Sequence, residues 1–201
     1  MIKIYMMNVS GIDLENKKCY ENLSARRLEK VKRLKNDTAK RQSIAAEILL
    51  NISMDDEVPG VKHPVIWEPD KNGKPYLIEY PQIYINITHS KNYAVCAISD
   101  NQVGVDIQYM RDVNLSMAER FFSECEQEYI KSSPNKVDAF YEIWVRKESF
   151  VKAVGTGLNI PLDSFSVLSD TVKYIGETYE FKMHHVPDNK YKLCTCVRKN
   201  I

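Results

Sequence analysis

Glu148 and Lys152 stand four residues apart in the stretch Trp144-Val145-Arg146-Lys147-Glu148-Ser149-Phe150-Val151-Lys152. On a helix that spacing puts a carboxylate and an ammonium on one side, a turn from the indole of Trp144. A carboxylate on a face otherwise built of hydrocarbon needs a partner. Lys152, or Lys147 beside it, would serve as a surface ion pair; a metal ion would meet the same need. A second acid, Asp106, lies in the alternating run Gln102 to Gln108, where Val103, Val105 and Ile107 share one face of a strand and Gly104, Asp106 and Gln108 the other. There a glycine would let a phosphate approach the backbone and Asp106 would offer a hard oxygen to Mg²⁺. Gln108 would add a neutral carbonyl oxygen or hold a coordinated water. A solvated strand face is the plain alternative. His89 falls between Thr88 and Ser90 at a strand end, where anion-accepting groups are commonly placed. The basic segment Arg26 to Arg41, with Arg27, Lys30 and Arg41 among its cations, reads either as a solvated face or as an edge for a polyanion smaller than nucleic acid. No aromatic residues interleave there to stack bases.

The elements that must carry these groups follow from capping and periodicity. A strand over Lys3 to Asn8 is followed by a helix from Arg26 to Lys35 capped by Ser24, and a second from Thr38 to Asn51 capped by Asp37. The Asn-Gly turn at Lys71-Asn72-Gly73-Lys74-Pro75 predicts a short hairpin. Ile83 to Ser90, Tyr93 to Ser99 and Gln102 to Gln108 read as an antiparallel meander. Asn114 or Ser116 caps a helix through Phe122, and Ser123 caps another with Glu124, Glu126 and Glu128 in its first turns. A long helix over Val137 to Val154, closed by Gly155, holds Glu148 and Lys152. Strands are expected at Ser164 to Leu168, Val172 to Ile175, Tyr179 to Met183 and Tyr191 to Val197. A weak repeat, Asp37 to Glu47 beside Asp138 to Glu148, predicts an α+β fold of two similar halves, 1–101 and 102–201, related by pseudo-twofold symmetry, with antiparallel sheets, packed helices and a ligand cleft between the halves.

The chain has 201 residues and a formal net charge of +1, enough length for a real core and no global bias toward nucleic acid or membrane. Five scattered cysteines read as reduced thiols. Without a signal-like N-terminus or a membrane-length apolar run, a cytoplasmic protein is expected. No GxxxxGK[ST] loop or GxGxxG turn is present, which argues against a P-loop or Rossmann nucleotide site.

Val103-Gly104-Val105-Asp106, followed by Trp144 to Lys152, resembles the signature pair of the 4'-phosphopantetheinyl transferases. Ile87-Thr88-His89-Ser90, Gly73-Lys74-Pro75, Arg120-Phe121-Phe122-Ser123 and Gly157-Leu158-Asn159-Ile160-Pro161-Leu162 extend the resemblance to the Sfp-type branch over nearly the whole chain. The resemblance implies a monomeric pseudo-dimer that uses coenzyme A and Mg²⁺ to modify a serine of an apo acyl- or peptidyl-carrier protein, releasing adenosine 3',5'-bisphosphate. By motif match, Asp106 and Glu148 would be metal ligands, with Gln108 where many members carry glutamate and acting weakly or through water. Lys152 would neutralise pyrophosphate charge, with Lys147 grouped beside it on the coenzyme. Thr88 and His89 would hold phosphates, Lys74 and Pro75 would border the adenine, and Arg41 would meet the 3'-phosphate with Arg27 and Lys30 near. Glu126 aligns with a glutamate proposed as general base, though a helix-start acid explains it equally. The carrier face is expected around Met117, Phe121 and Gly155 to Asn159. The alternatives are a non-catalytic coenzyme A or nucleotide-binding module, disfavoured by the two acids, and a nucleic-acid-binding domain, disfavoured by the near-neutral charge.

Overall fold

The computed structural model describes residues 2–157 and 160–199. Helix α1 (Ala25–Arg33) opens where Ser24 Oγ accepts the Arg27 N–H at 3.1 Å. Helix α2 (Asp37–Glu57) is capped by Asn36, one residue before the expected Asp37. It continues to Glu57 because Leu49, Leu50 and Met54 keep its inner face buried past Asn51. Helix α3 (Ser116–Phe121) has no side-chain cap on its own N-cap residue Leu115. Helix α4 (Glu124–Ser132) begins with a capping box in which Ser123 and Glu126 satisfy each other's backbone N–H groups. Helix α5 (Lys136–Val154) runs from the Asn135 cap to Gly155, whose φ of 77° is the left-handed turn that a Cβ would strain.

Strands β1 (Ile2–Asn8), β4 (Tyr84–Ser90) and β5 (Tyr93–Ser99) form one antiparallel sheet in the order β1-β5-β4. Strands β6 (Val103–Tyr109), β7 (Thr171–Tyr174), β8 (Glu177–His184) and β9 (Tyr191–Arg198) form another, β6-β9-β8-β7. The small hairpin β2 (Trp67–Pro69) and β3 (Pro75–Leu77) stands apart. The mixed α+β class with antiparallel sheets and packed helices is therefore as expected. In each sheet the chain order is strand, long helix, further antiparallel strands; the last strand pairs with the opening strand, and the long helix packs on it, α2 on β5 and α5 on β9. The buried Cys96 sits in β5 and the buried Cys194 and Cys196 in β9, and all five cysteines are free thiols.

Two expectations fail here. The meander breaks: β6 does not add to β5 but opens the second sheet against β9. Its Val103, Val105 and Ile107 pack with Val95, Ala97 and Leu193, while α5 covers the opposite face, so neither face of β6 is solvated. Residues 164–168 form no strand, because their backbone is taken up by side chains instead. Lys147 Nζ donates to Leu162 O and Phe165 O, both at 2.6 Å, and Glu126 Oε1 accepts the Val167 N–H at 2.8 Å.

Two buried ion pairs join a short helix to a long one, α1 to α2 and α4 to α5. Arg27 Nε meets Glu47 Oε2 at 2.9 Å, and Lys147 Nζ meets Glu126 Oε2 at 2.8 Å. Arg27 and Glu126 occupy the same position, third in the helix after a serine cap, yet carry opposite charges. The serine N–H is satisfied by the pair's carboxylate in both, Ser24 to Glu47 and Ser123 to Glu126.

His184, bonded through Nε2 to Thr195 Oγ1 at 2.8 Å, is pushed down to about 4 by burial and then by Lys182. Between pH 6.5 and 4 the unfolded chain therefore takes up a proton that the folded one refuses, so this group's stabilisation is complete above 6.5 and lost toward 4. Thermal unfolding across that window should show a shallower acid decline in His184→Gln than in wild type.

Candidate functional site

Asp106 is 2% exposed in the middle of β6, and three side chains hold its carboxylate. Lys152 Nζ lies 2.5 Å from Oδ1, Thr88 Oγ1 donates to the same oxygen at 3.2 Å, and Gln108 Nε2 donates to Oδ2 at 3.1 Å. Lys152 also donates to Val105 O at 3.2 Å and Thr88 Oγ1 at 3.4 Å. It reaches them because α5 lies on β6 at Gly104, where a Cβ would collide with Ser149 O and Ala153 N and meet Lys152 C at 2.9 Å. The expected role of Gly104 is thereby corrected: the backbone it admits is that of a helix, not a phosphate.

Glu148 is half-buried one turn before Lys152 and accepts no hydrogen bond among the described residues. Its carboxyl titrates above the ordinary value, first because burial strips its water and then because Asp106 repels it, with Lys152 opposing. Two acids thus converge from a strand and a helix on one half-compensated locus. No cluster of three or more His, Cys, Asp or Glu suited to a metal exists among the described residues. Hard oxygens, net negative charge and a carboxylate without a donor fit a divalent cation such as Mg²⁺.

The opposite wall comes from the first half. The β2–β3 hairpin reaches α5: Lys74 Nζ donates to Ala153 O at 2.7 Å and Asn72 Nδ2 to Gly155 O at 2.8 Å. Both act on the carbonyl end of the helix, where cations and donors are favoured. Burial pulls the Lys74 ammonium down to about 8. Lys74, Pro75, Asn86 and Lys152 line one cavity of ≈ 240 Å³. Beside it the charge is positive: His89 is lowered first by lost hydration and then by Lys30 and Lys152, and Lys30 by lost hydration and then by Arg27 and Arg26. Cations that depress one another's protonation are stabilised by an anion placed among them. Arg41 anchors through Nε to Ile12 O at 3.0 Å.

Three expected site residues are committed elsewhere. Arg27 is 8% exposed, bonded to Glu47 and Ser43, with its guanidinium 5.9 Å from the Trp67 ring centroid, so it organises the basic edge rather than presenting itself on it. Glu126 and Lys147 are fully buried and close on each other. The carboxylate takes two backbone N–H groups and the Ser123 hydroxyl, and the ammonium two carbonyls. Thr88 is at the site, but its hydroxyl is spent on Asp106. Sequence reasoning missed Asn72, a turn residue that spans the halves, and Asn86, which shares with Thr88 and Ser90 the period-two polar face of β4.

A second cavity of ≈ 560 Å³ is lined by Ser90, Gln108, Arg111, Met117, Tyr141 and Trp144. Met117, expected on the partner face, is exposed there. Of the expected Gly155 to Asn159 segment, Leu158 and Asn159 lie outside the described residues.

A profile of the 4'-phosphopantetheinyl transferase superfamily matches residues 102–196. The chain is 30% identical over 187 residues to the 4'-phosphopantetheinyl transferase ffp of Bacillus subtilis, across 88% of this chain and 83% of that one. It is 31% identical over 155 residues to 4'-phosphopantetheinyl transferase Sfp of Bacillus subtilis strain 168, across 76% and 69%. It is also 31% identical over 170 residues to 4'-phosphopantetheinyl transferase psf-1 of Bacillus pumilus, across 79% and 72%.

Proposed function

Because the chain belongs to the 4'-phosphopantetheinyl transferases, we propose that it transfers the phosphopantetheine arm of coenzyme A to a serine of an apo acyl- or peptidyl-carrier protein. The observation that carries this reading is the convergence of Asp106, Glu148 and Lys152, with Lys152 and Lys74 lining one cavity and the charges of Lys30 and Lys152 both felt at His89. The carrier serine oxygen forms the new P–O bond. The bond to the bridging oxygen of the pyrophosphate breaks, adenosine 3',5'-bisphosphate departs, and the hydroxyl proton is released. No covalent enzyme intermediate is required, so this chain contributes positioning and charge stabilisation.

Asp106 and Glu148 would hold Mg²⁺, which when bound supplies positive charge to the diphosphate. Lys152 leaves its ion pair with Asp106 only in part and offers remaining donors to the same oxygens. His89, Lys30 and Arg41 receive the peripheral phosphate, and Lys74 with Pro75 borders the base. In this division residues 1–101 hold coenzyme A, and residues 102–201 bring the acids and the carrier face near Met117 and Phe121. One chain supplies both halves, so the working unit is a monomer. Among the described residues no helix is long and apolar enough to cross a membrane. Incubation with coenzyme A, Mg²⁺ and a panel of apo-carriers should give the mass gain of the arm on a carrier serine; no gain on any carrier would refute transfer.

Glu126 is not the proton acceptor in this reading. Glu126→Gln leaves the Lys147 ammonium buried against a neutral amide, a loss of about 3–5 kcal/mol. The chemical denaturation midpoint should fall, while the shape of the pH–rate profile stays that of the wild type. A lost acid limb in that profile would restore Glu126 as the base.

A further inference from the structure

The two sheets meet at their edges β4 and β6, and the seam between them contains no main-chain ladder. Backbone N–H groups on β6 still require acceptors, and side chains of β4 provide them. Val105 N donates to Asn86 Oδ1 at 2.9 Å and Tyr109 N to Ser90 Oγ at 2.9 Å, while Thr88 Oγ1, midway on the same face, donates to Asp106 Oδ1 at 3.2 Å. Both backbone bonds span 19 residues, so the strands run the same way and in step. Beside this side-chain ladder, Thr88 Oγ1 and Lys152 Nζ meet at Asp106 Oδ1.

We propose that Asn86 and Ser90 are positioning residues for the transfer: they pin β6 on both sides of Asp106 and so fix the position of that acid. This rests on the reading of Asp106 as a ligand of the divalent cation. Neither residue touches the reacting atoms. Asn86 acts on the residue before Asp106, Ser90 on the residue after Gln108, and each acts through a single acceptor oxygen. The chemistry at stake is therefore geometric, and it predicts that a side chain retaining the acceptor keeps the function.

The test uses the full chain. Local amide exchange is measured for β6, and Mn²⁺ binding in the presence of coenzyme A is followed by paramagnetic resonance. In Ser90→Ala the Tyr109 amide should exchange faster than its β6 neighbours, and Mn²⁺ affinity should drop about tenfold, the usual cost of removing a group that orients a metal ligand. Ser90→Thr, which keeps the hydroxyl, should recover most of that loss. Asn86→Ala should do the same at Val105. Should it fail to fold, the Ser90 pair decides alone. Wild-type Mn²⁺ affinity in a folded Ser90→Ala, with Asp106→Ala having lost the ion, would overturn the positioning role and leave the metal reading intact. Retention of Mn²⁺ by Asp106→Ala would overturn the reading on which it rests.

Discussion

Asp106→Ala and Glu148→Gln are each expected to lower transfer about a thousandfold at saturating coenzyme A, the scale at which preorganised charge acts on a developing transition state. Their effects on folding should differ. Asp106 is gripped by Lys152, Thr88 and Gln108, so its removal leaves three donors without their acceptor and lowers stability. Glu148 has no hydrogen-bond donor among the described residues and is repelled by Asp106. Its neutral amide should leave the metal-free protein as stable as wild type, or more so, because an acid disfavoured as an anion costs stability at neutral pH. Lost activity with undiminished stability is the signature of a group kept for chemistry. Carrier-modification rates together with thermal unfolding check both halves of this expectation. Full Mg²⁺-dependent transfer by either variant would refute the two-acid site.

Gly104→Ala is the second large effect, and it reaches the site without removing a charge. The added methyl would fall on Ser149 O and Ala153 N, atoms of helix backbone that cannot turn aside as a side chain can. Helix α5 must move off β6, at about 3 kcal/mol or more for overpacking in a filled core. The displacement carries Glu148 and Lys152 away from Asp106. Since a shift of about 1 Å in a catalytic group costs roughly a hundredfold in rate, transfer should fall by at least that factor even below the lowered melting temperature. Circular dichroism melts with assays well below the midpoint separate the two contributions. A variant as stable and active as wild type would mean that α5 and β6 do not approach as closely as the geometry requires.

The fold class and most elements were legible because their signals are local. Ser24, Ser123 and Gly155 mark helix ends through single hydrogen bonds or a single φ, and alternating residues mark the strands. What was not legible depends on partners distant in the chain. Nothing within Gln102 to Gln108 tells that β9, almost a hundred residues later, rather than β5 takes its edge. Nothing near Ser164 tells that Lys147 and Glu126 claim its backbone. Asp106, Glu148 and Lys152 stand out in the sequence through spacing that permits one chemistry, and the roles expected of them come from the family resemblance. Arg27, Lys147 and Glu126 were grouped with them because a charged residue beside a motif reads the same whether it faces ligand or core, and only burial distinguishes the two. Asn86 and Ser90 escaped notice because a side chain that substitutes for a sheet partner carries no composition of its own.

The reversed polarity of the two buried ion pairs has a consequence for how this chain finds its fold. Two halves with like architecture invite the wrong helix to settle in the right groove. Exchanging α1 and α4 would confront Arg27 with Lys147 and Glu126 with Glu47, two like-charge encounters out of water, each far more costly than the attraction it replaces. The opposed signs therefore act as a lock that each short helix opens only against its own long helix.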